Sequence, residues 1–288
     1  MRDLFRGTGT ALATPFNADL LIDYPSFEKL LQFNAEAGID YFVVNGTTGE
    51  SATTSKKEKH ELLSFVQRNN PKNLPVVYGT GGYDTLDIVE HINEMEWTGI
   101  AALLSVSPYY NRPSQKGIIA HYEAVADACP VPVILYNVPK RTGSNMAAAT
   151  TIELSHHQNI VGIKEASGDF GQIVDIVSGT PEDFLLISGD DMCTIPMISL
   201  GAVGVISVLA NAFPAEMSSM VRAALDGDYA AAKSYLPYLS KINPYMYSES
   251  SPAGIKAALQ LKGICESHVR LPLLAPSVQL AEDIRSIL

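Results

Sequence analysis

Cysteine is scarce in this sequence of 288 residues and occurs at three widely separated positions, Cys129, Cys193 and Cys265. No two of them form a Cys-x-x-Cys pair, which argues against a disulfide framework, a zinc knot and a dithiol redox site. The six histidines form no His-Glu-x-x-His or similar ligand spacing. We therefore expect no resident metal ion.

Basic residues are also few, and long apolar runs are lacking. The 20 Lys and Arg stand against 31 Asp and Glu, which gives a formal charge of −11, and no basic run interrupts this acidity. Such a chain has no basic cluster that could bind the phosphates of a nucleic acid. No stretch approaches the roughly 20 apolar residues of a membrane helix, and the first residues form no apolar signal segment. The sequence predicts a soluble, cytoplasmic protein that binds neither nucleic acid nor membrane.

Two glycine-rich stretches, 7–10 and 79–82, do not complete a nucleotide-binding motif. Neither continues to the third glycine of a dinucleotide fingerprint, and no Gly-Lys-Ser/Thr occurs in the chain. Both stretches are typical of strand ends, so we expect no nucleotide cofactor.

Eight short β-branched or apolar runs alternate with helical patterns along the chain. The predicted strands are residues 8–13, 41–44, 76–78, 101–106, 133–136, 160–164, 184–187 and 204–207. Several runs are apolar without alternation, as in parallel strands that are covered on both faces. Eight such units fit a closed (β/α)₈ TIM barrel better than an open sheet. A Rossmann-type sheet is the alternative, which the missing glycine signature after the first strand disfavours.

The predicted barrel occupies residues 1–226 and carries the active site. Helix starts are recognisable between the strands, for example at Asp23 and at Ser55, which has Glu58 three residues later. Residues 227–288 are rich in Ala, Leu and Lys and contain proline breaks. We interpret them as a C-terminal helical extension.

Reactive residues of such a barrel lie at the carboxyl ends of the strands. After the second strand, residues 45–51 read Asn-Gly-Thr-Thr-Gly-Glu-Ser, with Thr47 and Thr48 between two glycines. Such a turn can direct backbone N–H groups and hydroxyls at one small anion. It can equally be a helix-capping turn, and the motif alone leaves both interpretations open.

Lys164 ends an apolar strand, so its side chain either extends to solvent or is held in the mouth of the barrel. In the second case burial disfavours the charged ammonium, and a neutral amine can attack a ketone. The resulting imine is an electron sink that allows carbon–carbon bond formation without a metal or an organic cofactor. The hydroxyls of Tyr136 and Thr47, at other strand ends, can carry the protons.

Four motifs follow one another in a familiar order: Gly46-Thr47-Thr48-Gly49-Glu50-Ser51, Pro108-Tyr109-Tyr110-Asn111-Arg112-Pro113, Tyr136-Asn137-Val138-Pro139 with Arg141-Thr142-Gly143, and Gly162-Ile163-Lys164-Glu165. With them the chain resembles, across the barrel and its extension, the dihydrodipicolinate synthase family. This family, also called 4-hydroxy-tetrahydrodipicolinate synthase, belongs to the pyruvate-dependent lyase superfamily.

The resemblance implies that Lys164 forms a Schiff base with pyruvate and that Tyr136, Thr47 and Tyr110 form the proton relay. In the family the second tyrosine comes from the adjacent subunit. Tyr110 is therefore expected to cross a dimer interface, and two dimers are expected to associate into a homotetramer. Packing within a loop is the other interpretation of Tyr110.

The remaining substrate-binding residues are also implied by the resemblance. Thr48 holds the pyruvate carboxylate near Ile206, and Gly189 belongs to the same set. The enamine formed on Lys164 attacks the aldehyde of L-aspartate 4-semialdehyde, whose amine then closes the ring and releases the enzyme. This is a lyase reaction of the diaminopimelate route to lysine. The planar fork of Arg141 can bind the carboxylate of the second substrate through two hydrogen bonds.

Family members inhibited by lysine bind it at the dimer interface, at positions that correspond here to Ser51, Ala52, Lys56, Lys59, Tyr83, Asp87 and Tyr109. Strongly inhibited members carry histidines and an asparagine where this chain has Lys56, Lys59 and Tyr83. Two ammonium groups should repel a cationic effector. We expect weak or absent inhibition by lysine.

Three alternatives remain. A sialic acid or 2-keto-3-deoxy-sugar lyase would share Lys164 and Tyr136 but would not need Arg141, and the sialic acid lyases usually carry Ser-Thr in place of Thr47 and Thr48. A non-catalytic binding protein on the same barrel is the second, because a fold alone does not determine a function. A pyridoxal-phosphate barrel enzyme is disfavoured, because its lysine is expected near the first strand.

Overall fold

In the computed structural model, which describes residues 1–288, eight parallel strands form a closed barrel in chain order. The strands are β1 (Gly7–Ala11), β2 (Tyr41–Val44), β3 (Val76–Thr80), β4 (Ala102–Val106), β5 (Val133–Asn137), β6 (Ile160–Glu165), β7 (Leu185–Ser188) and β8 (Gly204–Ser207). Each strand pairs with the next, and β1 pairs with β8 to close the barrel. The predicted TIM barrel is confirmed, and no predicted strand end differs from the observed one by more than two residues.

Thirteen α-helices accompany the strands. They are α1 (Tyr24–Glu36), α2 (Lys56–Arg68), α3 (Thr85–Glu94), α4 (Gln115–Ala128), α5 (Pro139–Thr142), α6 (Ala148–Leu154), α7 (Phe170–Gly179), α8 (Thr194–Ser199), α9 (Pro214–Leu225), α10 (Tyr229–Ser234), α11 (Leu236–Ile242), α12 (Ala253–Leu261) and α13 (Val278–Arg285). None of these helices has both the length and the apolar character that crossing a membrane requires. A cytoplasmic location stays a prediction.

Local capping explains where the helices begin. The Asp23 carboxylate accepts a hydrogen bond from the backbone N–H of Ser26 at the start of α1. Ser55 and Glu58 form a complete capping box at the start of α2, in which each side chain accepts the other residue's backbone N–H. These contacts satisfy donors that the first helical turn leaves without partners.

The core has two layers that the strands separate. The inner layer contains 14 buried apolar residues inside the barrel, and the outer layer contains 57 between the strands and the helices. Large and small residues alternate inside the barrel: a Cβ at Gly9 would lie 2.2 Å from the ring of Tyr41. In β6 Ile163 belongs to the outer layer, so Lys164, one residue further on, faces inward.

The C-terminal helices pack on the same outer layer as the barrel helices. Met246, Ile255 and Leu259 are fully buried and belong to the cluster that contains Phe213 and Leu12 of the barrel. The observed helices agree with the predicted helical character of residues 227–288. The division into two units at this point stays a prediction.

Candidate active site

Lys164 is held in the barrel mouth rather than extended to solvent. Its residue surface is 5% exposed, and its strand position lies in register with Tyr136 on one side and Ile187 on the other. The Nζ atom lies 4.3 Å from the centre of the Tyr136 ring. No ion pair and no hydrogen bond within the chain engages this nitrogen. The structure therefore holds a buried amine in contact with a tyrosine at the carboxyl end of the strands.

Gly189 leaves the space that the lysine side chain occupies. A Cβ at this position would lie 3.2 Å from Lys164 Cε and 2.7 Å from Ala166 Cβ. Ile206, on β8, is fully buried in the inner layer of the barrel. The predicted substrate-binding glycine thus contacts the predicted nucleophile.

Asp191 is a site residue that the sequence analysis missed. Its Oδ2 accepts the backbone N–H groups of Val208 and Leu209 at 3.2 and 2.9 Å, just after β8, whereas its Oδ1 is buried without a partner. Burial raises the pKa of Asp191 to about 6, and the nearby charge of Lys164 opposes the rise. The signal was present, because Asp191 follows the end of a strand, where reactive residues were expected.

The segment after β2 forms a 3₁₀ turn at Thr47–Gly49. Glu50 ends the turn in the left-handed conformation, with φ 55°, and donates its N–H to the carbonyl of Thr47. Neither the Thr47 nor the Thr48 hydroxyl has a hydrogen-bond partner in the chain. Because Ser55 caps α2, the helix-capping interpretation of this turn is wrong. The turn offers two free hydroxyls at the same end of the barrel as Lys164.

Arg141 lies in the short helix α5, on the loop that follows β5. Its guanidinium is exposed and contacts no carboxylate and no carbonyl within the chain. The loop is anchored by buried Glu165, which accepts hydrogen bonds from the Asn137 side chain and the Gln172 side chain. Burial raises the pKa of Glu165, and the Asn137 hydrogen bond opposes the rise. An anchored loop thus carries a cation that is free to bind an anion.

Tyr247 brings the C-terminal region to the same site. Although the residue as a whole is 45% exposed, desolvation around its hydroxyl raises the pKa of Tyr247, and the charges of Asp191 and Asp190 add to the rise. Arg141 opposes it. The sequence analysis missed this tyrosine because its position follows no strand.

Tyr110 is the one predicted catalytic residue that points away from the chain. It is 86% exposed, its φ is 68°, and its ring centre lies 6.0 Å from that of Tyr83. Its hydroxyl makes no hydrogen bond within the chain. Within one chain the structure therefore brings Lys164 and Tyr136 together and leaves Tyr110 on the surface.

The positions expected to bind lysine lie where α2 meets the start of α3. Lys56 forms an ion pair with Asp87 at 3.3 Å, and Tyr83 packs against Tyr109 with ring centres 5.9 Å apart. Burial lowers the pKa of Lys59, and Asp87 opposes the shift. Ser51 and Ala52 follow the 3₁₀ turn.

No group of three or more His, Cys, Asp or Glu side chains is arranged to hold a metal ion. The three cysteines are free. Burial raises the pKa of Cys129, Cys193 and Cys265 to about 11, 11 and 12, so their thiols stay protonated near neutral pH. The nucleophile of this site is therefore not a thiolate.

Comparison with known proteins gives one family along the whole chain. The family model described as the Dihydrodipicolinate synthetase family matches residues 4–288. A 4-hydroxy-tetrahydrodipicolinate synthase from Cytophaga hutchinsonii is 52% identical over 280 residues, which cover 97% of this chain and 94% of that protein.

Two solved structures are closely similar as well. A dihydrodipicolinate synthase variant described as the first monomeric one superposes with a TM-score of 0.95 at 34% identity and covers 99% of this chain and 96% of its own. The lysine-bound enzyme from Cyanidioschyzon merolae superposes with a TM-score of 0.94 at 37% identity and covers 99% and 97%.

Proposed function

The chain belongs to the dihydrodipicolinate synthetase family, and we propose that Lys164 is the amine on which its reaction takes place. That reaction is the one of a 4-hydroxy-tetrahydrodipicolinate synthase, a Schiff-base-forming lyase of lysine biosynthesis. The substrates are pyruvate and L-aspartate 4-semialdehyde. The relatives described above are all named as synthases, which favours this reaction over a sugar lyase and over a non-catalytic protein.

One observation carries the assignment of Lys164: its nitrogen is buried, faces the inside of the barrel and forms no ion pair or hydrogen bond within the chain. The amine adds to the ketone of pyruvate, and water leaves as the imine forms. Loss of a methyl proton converts the imine into an enamine. The enamine carbon then attacks the aldehyde, and the amine of the second substrate displaces Lys164 and closes the ring.

The turn at Thr47–Gly49 supports a site for the pyruvate carboxylate. Thr48 offers a hydroxyl without a partner, and the backbone N–H groups of Thr47 and Thr48 donate to no carbonyl, an arrangement that stabilises an anion. Thr47 and Tyr136 each carry a hydroxyl that can both donate and accept a proton. We assign Thr48 to carboxylate binding, with Ile206 and Gly189 lining the subsite, and Thr47 and Tyr136 to proton transfer.

Arg141 is assigned to the carboxylate of L-aspartate 4-semialdehyde. Its guanidinium has no partner in the chain, although the protein carries a net charge of −11 and offers many carboxylates. A free fork of donors can bind a carboxylate in two parallel hydrogen bonds.

Tyr110 completes the relay from a second copy of the chain. It belongs to an exposed patch with Tyr83 and Leu86, which are 59% and 72% exposed. Aromatic residues of this kind are enriched at protein interfaces. A second exposed apolar stripe lies on α7 and is formed by Phe170, Val174 and Val177. It supports the association of two such dimers into a homotetramer.

The test is reduction with borohydride in the presence of pyruvate, followed by peptide mapping. We expect one adduct, on the peptide that contains Lys164. An adduct on another lysine, or none, would refute the assignment. Adding L-aspartate 4-semialdehyde before the borohydride should reduce the trapped adduct, because the unreduced enamine reacts with it and the pyruvate carbon leaves as the cyclic product.

A further inference from the structure

A second buried lysine, Lys256 on α12, lies directly beneath the turn that carries the pyruvate-binding threonines. Its residue surface is completely buried, and its Nζ donates to Glu50 Oε1 at 2.5 Å and to the carbonyl of His268 at 2.7 Å. The ammonium also lies 4.2 Å from the centre of the Phe16 ring. The proposed reaction uses neither Lys256 nor Glu50.

Glu50 is part of the turn itself. Its N–H donates to the carbonyl of Thr47 at 3.1 Å, and its own carbonyl accepts the N–H of Thr53 at 2.9 Å. Its side chain is buried and pairs with Lys256. The conformation of the turn and the position of this carboxylate are therefore coupled through one residue.

Arg270 reinforces the same contact from the segment after α12. Its backbone N–H donates to Glu50 Oε2 at 3.0 Å, and its guanidinium contacts the Glu58 carboxylate and the carbonyl of Leu20. The Arg270 hydrogen bond holds the pKa of Glu58 well below its usual range, at about 2. Both oxygens of Glu50 are thus bound by groups from the C-terminal region.

The physical consequence of removing Lys256 is local. A carboxylate that is buried without a counter-charge is strongly disfavoured, and the chain can relieve it by moving Glu50 towards water. Because Glu50 ends the turn, such a movement displaces Thr47 and Thr48. Displacements of about 1 Å in a binding site can cost about 10²-fold in rate.

From these contacts we infer that Lys256 is a positioning residue, which acts through Glu50 to hold the Thr47–Gly49 turn in the geometry that binds pyruvate. The inference rests on the proposed role of the turn. It assigns to the C-terminal helices a function in the first half-reaction, although they contribute no nucleophile.

The test compares the KM of each substrate in Lys256→Met. We expect the KM for pyruvate to rise about tenfold or more, because the turn is displaced, and the KM for L-aspartate 4-semialdehyde to stay within about twofold. The pyruvate concentration that gives half-maximal borohydride trapping should rise in parallel. The control is Lys262→Met, which removes an exposed ammonium just after the same helix and should change neither KM.

Rescue separates positioning from general destabilisation. In the double variant Glu50→Gln with Lys256→Met no buried charge remains, and the amide oxygen can still accept the Arg270 N–H. We expect its KM for pyruvate to return to within about threefold of that of the unchanged protein, since removing both members of a buried pair is often nearly neutral. If Lys256→Met does not fold, Glu50→Gln alone should raise the KM for pyruvate selectively.

Three results would overturn the inference: an unchanged KM for pyruvate in folded Lys256→Met or Glu50→Gln, an equal rise in both KM values, or a double variant that stays as impaired as Lys256→Met. Failure of the proposed function is distinguishable. In that case the unchanged protein itself would give no pyruvate adduct.

Discussion

Two lysines that are equally hidden from water lie in different chemical surroundings, one in the barrel mouth and one between the barrel and the C-terminal helices. Lys164 is 5% exposed and forms no ion pair or hydrogen bond, whereas Lys256 is 0% exposed and donates to a carboxylate and to a carbonyl. Each side-chain nitrogen lies over an aromatic ring, at 4.3 and 4.2 Å. Burial and aromatic contact are therefore not what distinguishes a nucleophile from a structural cation.

The difference lies in what each nitrogen is bound to. Burial lowers the pKa of Lys256, and Glu50 opposes this shift. The Lys256 nitrogen is engaged by two acceptors, the Glu50 carboxylate and the carbonyl of His268, and is therefore not available to a substrate. Lys164 forms no ion pair and no hydrogen bond; the nearest acidic influence is Asp191, a carboxylate whose own pKa burial raises to about 6. A buried amine without an ion pair lowers the stability of the fold, and it is found here at the position where the reaction requires a nucleophile.

The largest effect is expected from Lys164→Ala. The variant should lose turnover by about a thousandfold or more, since no other nucleophile can form the imine, and should give no borohydride-trapped adduct. Lys256→Met should retain the adduct at saturating pyruvate. Trapping on Lys256 in the unchanged protein or in Lys164→Ala would remove the distinction between the two lysines.

The second largest effect concerns stability, for which Lys256 should matter more than Lys164. Lys256→Met should lower the free energy of unfolding by about 3 to 5 kcal/mol, because it leaves the buried Glu50 carboxylate unpaired. Lys164→Met should be neutral or slightly stabilising, because it removes a buried amine that forms no ion pair and no hydrogen bond. Urea denaturation of both variants at pH 7 measures the difference. Similar losses in the two variants would contradict the comparison.

Arg141→Ala should leave the reaction with pyruvate intact and impair the reaction with L-aspartate 4-semialdehyde. The adduct with pyruvate should form as before, while kcat/KM for L-aspartate 4-semialdehyde should fall about a hundredfold, corresponding to two lost charge-assisted hydrogen bonds. The matched variant Lys140→Ala removes the neighbouring charge and should have a much smaller effect. Normal turnover by Arg141→Ala would refute the assignment of the second substrate's carboxylate.

Lowering the pH should protonate two buried histidines outside the site, His91 and His121, and leave their positive charges without ion-pair partners. Burial lowers the pKa of each to about 4, and for His91 the positive charges of His60 and Lys59 add to this shift. The folded pKa lies below the unfolded value of about 6.5, so the unfolded state binds more protons between these values and stability falls as pH falls through this window. Each histidine contributes up to about 3 kcal/mol to the fall.

The measurement is urea denaturation at pH 7 and pH 5. His121→Gln should lose about 1 to 2 kcal/mol less than the unchanged protein between the two pH values. His156→Gln, at an exposed position, is the control and should behave like the unchanged protein. An identical loss in His121→Gln and the unchanged protein would show that His121 is not a source of the acid sensitivity.

The smallest effect is expected from added lysine. Lys56 already forms an ion pair with the Asp87 carboxylate, so an incoming ammonium meets the positive charge of Lys56 where that carboxylate could have bound it. We propose that lysine at concentrations near those of the substrates changes initial rates by less than about twofold. Replacing Lys56 and Lys59 by alanine should increase the inhibition. The lysine bound to the C. merolae enzyme shows that a relative can hold this ligand. Steep inhibition of the unchanged protein by lysine would contradict our prediction.

The sequence predicted the barrel and much of its mouth for definite reasons. Parallel strands covered on both faces give apolar runs, and the residues that interrupt such runs at their carboxyl ends face one another once the barrel closes. This rule selected Lys164, Tyr136 and the turn at Thr47. It would also have selected Asp191, which was overlooked although it follows a strand end in the same way.

Local sequence patterns could not predict which residues from distant segments contact one another. The sequence by itself determined the eight strands, the capped helices and the polar residues at strand ends, because these depend on neighbours within a few positions of one another. Only the tertiary structure decided that Lys164 forms no ion pair and that Lys256 pairs with Glu50, 206 residues away. The chemical state of a lysine depends on the groups that folding brings within a few ångströms, and no local pattern records which groups those are.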